Sequence, residues 1–131
     1  MNVASPHSVL LVEDEPELSL LLKRYLEDEK IRVLACDDLA PGITMAKNQK
    51  FSCIVVDYRL KGGTGDLLIS GIRKNNSHVN YDTPILLISG FLSGELVKSL
   101  GKSINGAMVK PFDRQHFAGK VKALCGSPLP F

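Results

Sequence analysis

The chain has 131 residues, of which 44% are apolar and 23% charged, and this composition is ordinary for one globular domain and excludes a largely disordered chain. Its formal net charge of +2 is too small to indicate nucleic acid or an anionic membrane surface as a partner. Three cysteines without metal-binding spacing, Cys36, Cys53 and Cys125, predict reduced thiols rather than a disulfide framework.

The beginning of the sequence, MNVASPHSVLLVEDE, has neither the basic region nor the long apolar run of a secretory signal. Nowhere in the chain is there an apolar run of about 18 residues, the length that a membrane-spanning helix needs. We therefore expect a cytoplasmic protein that does not contact a membrane.

Short apolar runs alternate with helical patterns along the whole chain. The first run, VLLV at 9–12, is followed by leucines and a tyrosine at helical spacing over 18–26, with Pro16 suited to the first turn. The second run is IRVLAC at 31–36. The later predicted elements are, in chain order, a helix after Asp38 (39–46), a strand at 53–56, a helix after Gly65 (67–72), a strand at 85–88, a helix near Ser93 (92–100), a strand at 107–109 and a helix after Asp113 (117–124).

Strict alternation of five strands with five helices predicts an α/β fold, with a parallel sheet between two layers of helices. Three of the runs are continuously apolar, as expected for strands covered on both faces. No linker separates a second domain. We therefore expect a single domain over residues 1–131, with its core at about 8–124 and short loose tails, including GSPLPF at 126–131.

Polar residues directly follow all five predicted strands, with Asp37 and Asp38 after the second. In open parallel sheets, ligands bind at the carboxyl ends of the strands. If the first, third, fourth and fifth strands are neighbours, three carboxylates, a hydroxyl and an ammonium group meet at one edge. These residues are Glu13, Asp14, Asp57, Ser89 and Lys110.

This set of residues predicts phosphoryl-transfer chemistry. Clustered carboxylates repel one another unless they share protons or a cation, and Mg²⁺ prefers such oxygen ligands. A carboxylate can accept a phosphoryl group, and the transfer needs mainly positioning and charge neutralisation. We therefore predict Asp57 as the acceptor, Glu13 and Asp14 beside Mg²⁺, and Lys110 and Ser89 at the phosphoryl oxygens.

The chain resembles the receiver domain of two-component response regulators over about residues 8–124. Four stretches carry the resemblance: VLLVEDE, IVVDYRLKGGTG, ILLISG and MVKPF. It implies a flavodoxin-like, doubly wound sheet with strand order 2-1-3-4-5. It also implies that Mg²⁺ is held by Asp14, Asp57 and the backbone carbonyl of Arg59, with Glu13 acting through water, and that the bond before Pro111 is cis.

The resemblance further implies a histidine kinase or a histidine phosphotransfer protein as the phosphate donor. We expect a stand-alone, Mg²⁺-dependent receiver that signals through phosphorylation-dependent contact with a downstream protein whose identity the sequence does not give. It would catalyse only its own phosphotransfer and dephosphorylation, and so would not be an enzyme in the usual sense. We expect a monomer or weak dimer that does not bind nucleic acid.

Two positions depart from the family pattern. Lys61 replaces a usual proline, so that the KGG segment should make the acceptor loop more mobile. Ala107 stands where the family has an aromatic switch residue. We therefore predict a switch region formed by Ser89, Gly90, Phe91 and Ala107, in which the Ser89 hydroxyl carries the response and strand five stays nearly fixed.

Two alternative functions remain open. One is a receiver-like module that binds partners without phosphorylation. The other is a Mg²⁺-dependent phosphatase of the haloacid dehalogenase type or a Toprim nuclease, but both want Asp-x-Asp, and Arg59 occupies the second position after Asp57. His7, His78 and His116 lack ligand spacing, and we assign them no role.

Overall fold

The computed structural model describes residues 7–126, so the expected loose tails lie almost wholly outside the described residues. Five strands and five main helices alternate, as the sequence predicts. The strands are β1 (Ser8–Val12), β2 (Arg32–Cys36), β3 (Cys53–Asp57), β4 (Ile85–Ser89) and β5 (Gly106–Val109). The helices are α1 (Pro16–Glu27), α2 (Leu39–Asn48), α3 (Gly65–Arg73), α4 (Gly94–Leu100) and α5 (Arg114–Cys125).

The five strands form one parallel sheet in the order β2-β1-β3-β4-β5. This order confirms the predicted doubly wound fold. The three central strands, β1, β3 and β4, are the continuously apolar ones, and their apolar residues are fully buried. The edge strands β2 and β5 keep partly exposed residues, because each has a neighbouring strand on one side only.

Successive side chains of the central strands point to opposite faces of the sheet, which gives two apolar layers. Leu10 and Val12 of β1 pack in the layer beneath α2 and α3. Val9 and Leu11 pack in the layer beneath α1 and α5. Leu21, which the sequence pattern places on the apolar stripe of α1, is 42% exposed, because it lies at the margin of the face that Leu22 and Leu26 bury.

The structure contains two short elements that the sequence did not predict. A two-stranded antiparallel hairpin pairs Arg59–Leu60 with Gly63–Thr64, and a single 3₁₀ turn follows α4 at Gly101–Ser103. The KGG segment forms the turn of the hairpin, where Gly62 has a φ of 87° that favours glycine. The carbonyl of Lys61 accepts a hydrogen bond of 3.1 Å from the N–H of Leu39, which joins this turn to the start of α2.

Within residues 7–126, no helix is long and apolar enough to cross a bilayer.

Candidate functional site

The strand order places β1, β3, β4 and β5 next to one another, so the residues that follow them share the carboxyl edge of the sheet. Glu13, Asp57 and Ser89 are buried there, with exposures of 0%, 5% and 3%. Asp14 and Lys110 are half-buried and border the solvent. The structure therefore places all five predicted residues at this edge, and it brings the side chains of Glu13, Asp14, Asp57 and Lys110 into one cluster.

Lys110 joins two of the carboxylates. Its Nζ atom lies 2.7 Å from Oδ2 of Asp57 and 2.8 Å from Oε1 of Glu13. The backbone of Lys110 is held by a 2.7 Å hydrogen bond from its N–H to the carbonyl of Ser89. The peptide bond between Lys110 and Pro111 is cis, as the resemblance implied.

Burial and charge act in opposite directions on these groups. Burial raises the pKa of Glu13, and the nearby charge of Asp57 adds to this, while Lys110 and the N–H of Glu15 oppose it. Burial alone would lower the pKa of Lys110, but its contacts with Asp57 and Glu13 outweigh burial and raise that pKa. Lys110 is therefore charged at neutral pH and stabilises negative charge on Asp57.

The carboxylate cluster fits a hard divalent cation. Glu13, Asp14 and Asp57 each offer a carboxylate oxygen, and these oxygens lie within 4.8 Å of one another. Oε1 of Glu13 is buried and makes no hydrogen bond of good geometry, although it contacts the Lys110 ammonium. Because the carboxylates outnumber this ammonium and all donors are oxygens, the chemistry suits Mg²⁺.

Arg59, whose backbone carbonyl is the remaining predicted ligand, lies in the first strand of the hairpin. It pairs with Thr64 across the hairpin, two positions beyond Asp57 in the chain. Its side chain is exposed. The structure therefore places this residue beside the cluster by its chain position, and leaves its role as a ligand a prediction.

Gly65, which follows the hairpin, packs against the backbone of Asp57. The N–H of Tyr58 donates to the carbonyl of Ile88 at 2.9 Å, and the N–H of Gly65 donates to the carbonyl of Tyr58 at 2.6 Å. A Cβ atom on Gly65 would collide with the main-chain carbonyl oxygen of Asp57. The start of α3 can therefore pack this closely against the backbone of Asp57 only with glycine at that position.

Of the predicted switch residues, Ser89 is the last residue of β4, Gly90 and Phe91 follow it, and Ala107 lies within β5. The Ser89 hydroxyl donates a 2.8 Å hydrogen bond to the carbonyl of Phe91, whose side chain is 73% exposed. Ala107 pairs in register with Leu87 and packs against the apolar layer beneath α2 and α3. In this structure the Ser89 hydroxyl therefore makes its hydrogen bond within the loop that follows β4.

The sequence assigns no role to the histidines, two of which make local contacts in the structure. His116 contacts Asp113 at the start of α5, and His78 accepts a hydrogen bond from the N–H of Asn80. Reasoning from the sequence missed the direct contact between Glu13 and Lys110. The strand order indicates that the residues after β1 and β5 lie at the same edge of the sheet. Which carboxylate Lys110 contacts, however, depends on side-chain conformation.

The sequence is similar to one family of known proteins. The model of the response regulator receiver domain matches residues 9–122. Sensor histidine kinase AruS of Pseudomonas aeruginosa is 27% identical over 121 residues, which cover 92% of this chain and 10% of that protein. Transcriptional activator protein IrlR of Burkholderia pseudomallei is 26% identical over 117 residues, covering 88% and 49% respectively. The chain spans half or less of the length of these curated relatives.

Solved structures share the fold over nearly the whole chain. The non-phosphorylated HemR receiver domain from Leptospira biflexa has a TM-score of 0.85 and 25% identity, covering 95% of this chain and 98% of that one. The receiver domain of sensor histidine kinase PA1611 from Pseudomonas aeruginosa PAO1 has a TM-score of 0.82 and 25% identity, covering 94% and 100%. That structure has a magnesium ion coordinated in its active site cleft.

Proposed function

The chain belongs to the family of response regulator receiver domains, and we propose that it accepts a phosphoryl group on Asp57 from the phosphohistidine of a histidine kinase or a histidine phosphotransfer protein. The observation that carries this proposal is the position of Asp57. Its carboxylate lies at the carboxyl edge of a parallel sheet, 2.7 Å from a lysine ammonium and within a cluster of acidic oxygens.

The transfer step uses groups that the site already contains. An Asp57 carboxylate oxygen attacks the phosphorus of the phosphohistidine, the P–N bond breaks, and the released imidazole takes up a proton. The ammonium of Lys110 compensates the negative charge that the phosphoryl oxygens bring. The Ser89 hydroxyl can donate to another phosphoryl oxygen once it leaves the carbonyl of Phe91.

Mg²⁺ would be held by Asp14, Asp57 and the backbone carbonyl of Arg59, with Glu13 acting through water. When bound, the ion would supply the neutralisation of phosphoryl charge that Lys110 alone does not provide. A magnesium site in the PA1611 receiver, together with the cluster of carboxylate oxygens here, supports this assignment.

The phosphorylated form would act through contact with a downstream protein, as a signalling domain and not as a conventional enzyme. The surface that changes would include Phe91 and the start of α4, since the Ser89 hydroxyl bonds to the carbonyl of Phe91 and α4 begins three residues further along the chain. We place this activity in the cytoplasm, because the three cysteines are free thiols, as a reducing compartment favours.

The test is intact-mass measurement after incubation with a small phosphodonor, such as acetyl phosphate, and Mg²⁺. We expect the mass to rise by one phosphoryl group in the wild type and in the control Asp82→Asn, whose carboxylate is exposed and outside the cluster. Asp57→Asn should show no increase. An unmodified wild type, under conditions that modify a known receiver, would instead support a binding module that works without phosphorylation.

A further inference from the structure

Two cysteines that are far apart in the sequence meet at the amino edge of the sheet. Cys53 is the first residue of β3 and Cys125 is the last residue of α5, which runs back across the sheet after β5. Both side chains belong to the apolar layer beneath α1 and α5. The helix α5 packs against β3, and the two thiols are close enough for each to shift the pKa of the other. Asp57, at the other end of β3, lies at the opposite edge.

The environments of the two thiols differ. Cys53 is fully buried, whereas Cys125 is half-buried and can meet small molecules from solvent. The interaction with the Cys125 thiol, together with burial, raises the pKa of Cys53 well above its usual range. The interaction with the Cys53 thiol lowers the pKa of Cys125, although burial opposes the effect. Cys125 is thus the more reactive thiol, and Cys53 is the protonated partner beside it.

We propose that Cys125 and Cys53 form an oxidation site that reacts with hydrogen peroxide and closes to an intramolecular disulfide. The Cys125 thiolate attacks one peroxide oxygen, the O–O bond breaks, and a sulfenic acid and hydroxide form. The sulfur of Cys53 then attacks the sulfenic sulfur, the S–O bond breaks, and the hydroxyl leaves with the thiol proton as water. In total the two thiols lose two electrons and two protons, and the peroxide is reduced to two water molecules.

The disulfide would fix the end of α5 to the beginning of β3. Because this bond forms at the edge opposite Asp57, it would leave the carboxylate cluster and Lys110 in place. The site therefore acts independently of phosphorylation at Asp57. Cys36 supplies an internal control for specificity, since it is buried at the carboxyl end of β2, whereas Cys53 and Cys125 lie at the amino edge of the sheet.

The experiment exposes reduced protein to hydrogen peroxide, blocks the remaining thiols with N-ethylmaleimide under denaturing conditions, and maps tryptic peptides without reductant. The sequence separates the three cysteines into three tryptic peptides, 51–59, 123–131 and 33–47. We expect 51–59 linked to 123–131, and 33–47 carrying N-ethylmaleimide. Incubation with dithiothreitol should restore both thiols.

Three variants assign the roles. Cys125→Ser should reduce the disulfide to background and leave Cys53 fully alkylated, while Cys36→Ser should leave the disulfide yield unchanged. In Cys53→Ala, Cys125 should accumulate as a sulfenic acid that dimedone traps. Circular dichroism checks that this core variant is folded. If it is not folded, the peptide map of the wild type alone tests the proposal. A Cys36 linkage, or full alkylation of both Cys53 and Cys125 after peroxide, would overturn the proposal.

Discussion

Nζ of Lys110 lies 2.7 Å from Oδ2 of Asp57, which places a positive charge directly on the predicted phosphoryl acceptor. The same ammonium also contacts Glu13 at 2.8 Å. Lys110 therefore links the predicted acceptor to Glu13, one of the carboxylates on the proposed metal side. The lysine therefore holds the two buried carboxylates together, and we propose that it also neutralises the phosphoryl oxygens during the transfer.

The first prediction concerns the charge of Lys110. Lys110→Met should lower the initial rate of phosphorylation by a small phosphodonor by about 10²- to 10³-fold, the usual effect of removing one donor that stabilises developing negative charge. Intact-mass time courses measure this rate. Lys102→Met is the matched control, because Lys102 is exposed in the 3₁₀ turn after α4. A Lys110→Met rate close to that of the wild type would contradict the proposed role.

The second prediction concerns the metal. Mg²⁺ at 100 times its dissociation constant should stabilise the wild type by about 2.7 kcal/mol, since it binds the folded state only. This gain, followed as the shift in thermal midpoint by circular dichroism, should be lost in Asp14→Asn and only reduced in Glu13→Gln. The reason is that Asp14 is assigned as a direct ligand and Glu13 as a ligand through water.

Asp82→Asn provides the control for the metal experiment, because the carboxylate of Asp82 is exposed and remote from the cluster. It should keep the full Mg²⁺-dependent shift. If Asp14→Asn keeps that shift as well, the cation binds elsewhere.

The third prediction compares two glycines of α3. Gly65→Ala should destabilise the protein and slow phosphorylation, because the new Cβ collides with the carbonyl oxygen of Asp57 and must displace the acceptor loop. Gly71→Ala has no atom within 4 Å of its added Cβ and should be neutral or stabilising by about 0.5–1 kcal/mol. Chemical denaturation and intact mass measure the two effects. Equal behaviour of the two variants would show that this close packing does not matter.

Much of the fold could be predicted because the central strands are continuously apolar and bounded by polar residues. Helices cover both faces of a parallel sheet, so its strands are buried on both sides and are continuously apolar. A continuous apolar run therefore indicates such a strand. The helix starts at Asp38, Ser93 and Asp113 were recognisable from residue type, and the side chains of Ser93 and Asp113 do accept hydrogen bonds from the first turn of α4 and α5.

The hairpin after β3 and the segment before β4 could not be predicted in the same way. The hairpin strands have only two residues each, too few to show a period. From the sequence, a polar residue in a loop such as Asn80 is expected at the surface. In the structure, however, Asn80 is fully buried. Its burial depends on backbone groups that the tertiary structure brings to it.

At the site, residue types and strand ends were sufficient to select Glu13, Asp57 and Lys110, because a parallel sheet brings the ends of its strands to one edge. The direction of each side chain could not be obtained from spacing. The Ser89 hydroxyl bonds to the carbonyl of Phe91, a choice of rotamer that the sequence does not reveal.

The fourth prediction tests the buried asparagine. Oδ1 of Asn80 accepts hydrogen bonds from the N–H of Phe51 and the hydroxyl of Thr83, and its Nδ2 donates to the carbonyls of Ala46 and Gln49. Because Asn80→Ala leaves buried polar groups unpaired, we expect it to lower the free energy of unfolding by about 3 kcal/mol. Urea denaturation measures this value.

The exposed residue Asn76 offers the control for this loop. Asn76→Ala should change the free energy of unfolding by less than about 0.5 kcal/mol. A similarly small effect of Asn80→Ala would mean that water replaces the lost hydrogen bonds.

The last prediction concerns the response to phosphorylation. In this structure the Ser89 hydroxyl bonds to Phe91, and the helix that follows the loop, α4, buries none of its own residues. A phosphoryl group on Asp57 offers this hydroxyl a charged acceptor in place of a neutral carbonyl. The hydroxyl can take it only by releasing Phe91, so the loop at 90–94 should move while β5 stays nearly fixed, because Ala107 has no ring to relocate.

Beryllofluoride, which mimics the phosphoryl group, allows this movement to be measured by backbone amide hydrogen exchange. In the wild type and in Ser99→Ala, a control for an exposed serine of α4, we expect the largest changes at 90–94 and at the start of α4. Ser89→Ala should remove most of these changes, because the two states then differ little in their contacts with the mimic. Largest changes at 107–109 that persist in Ser89→Ala would show instead that β5 carries the response and that the hydroxyl is not its origin.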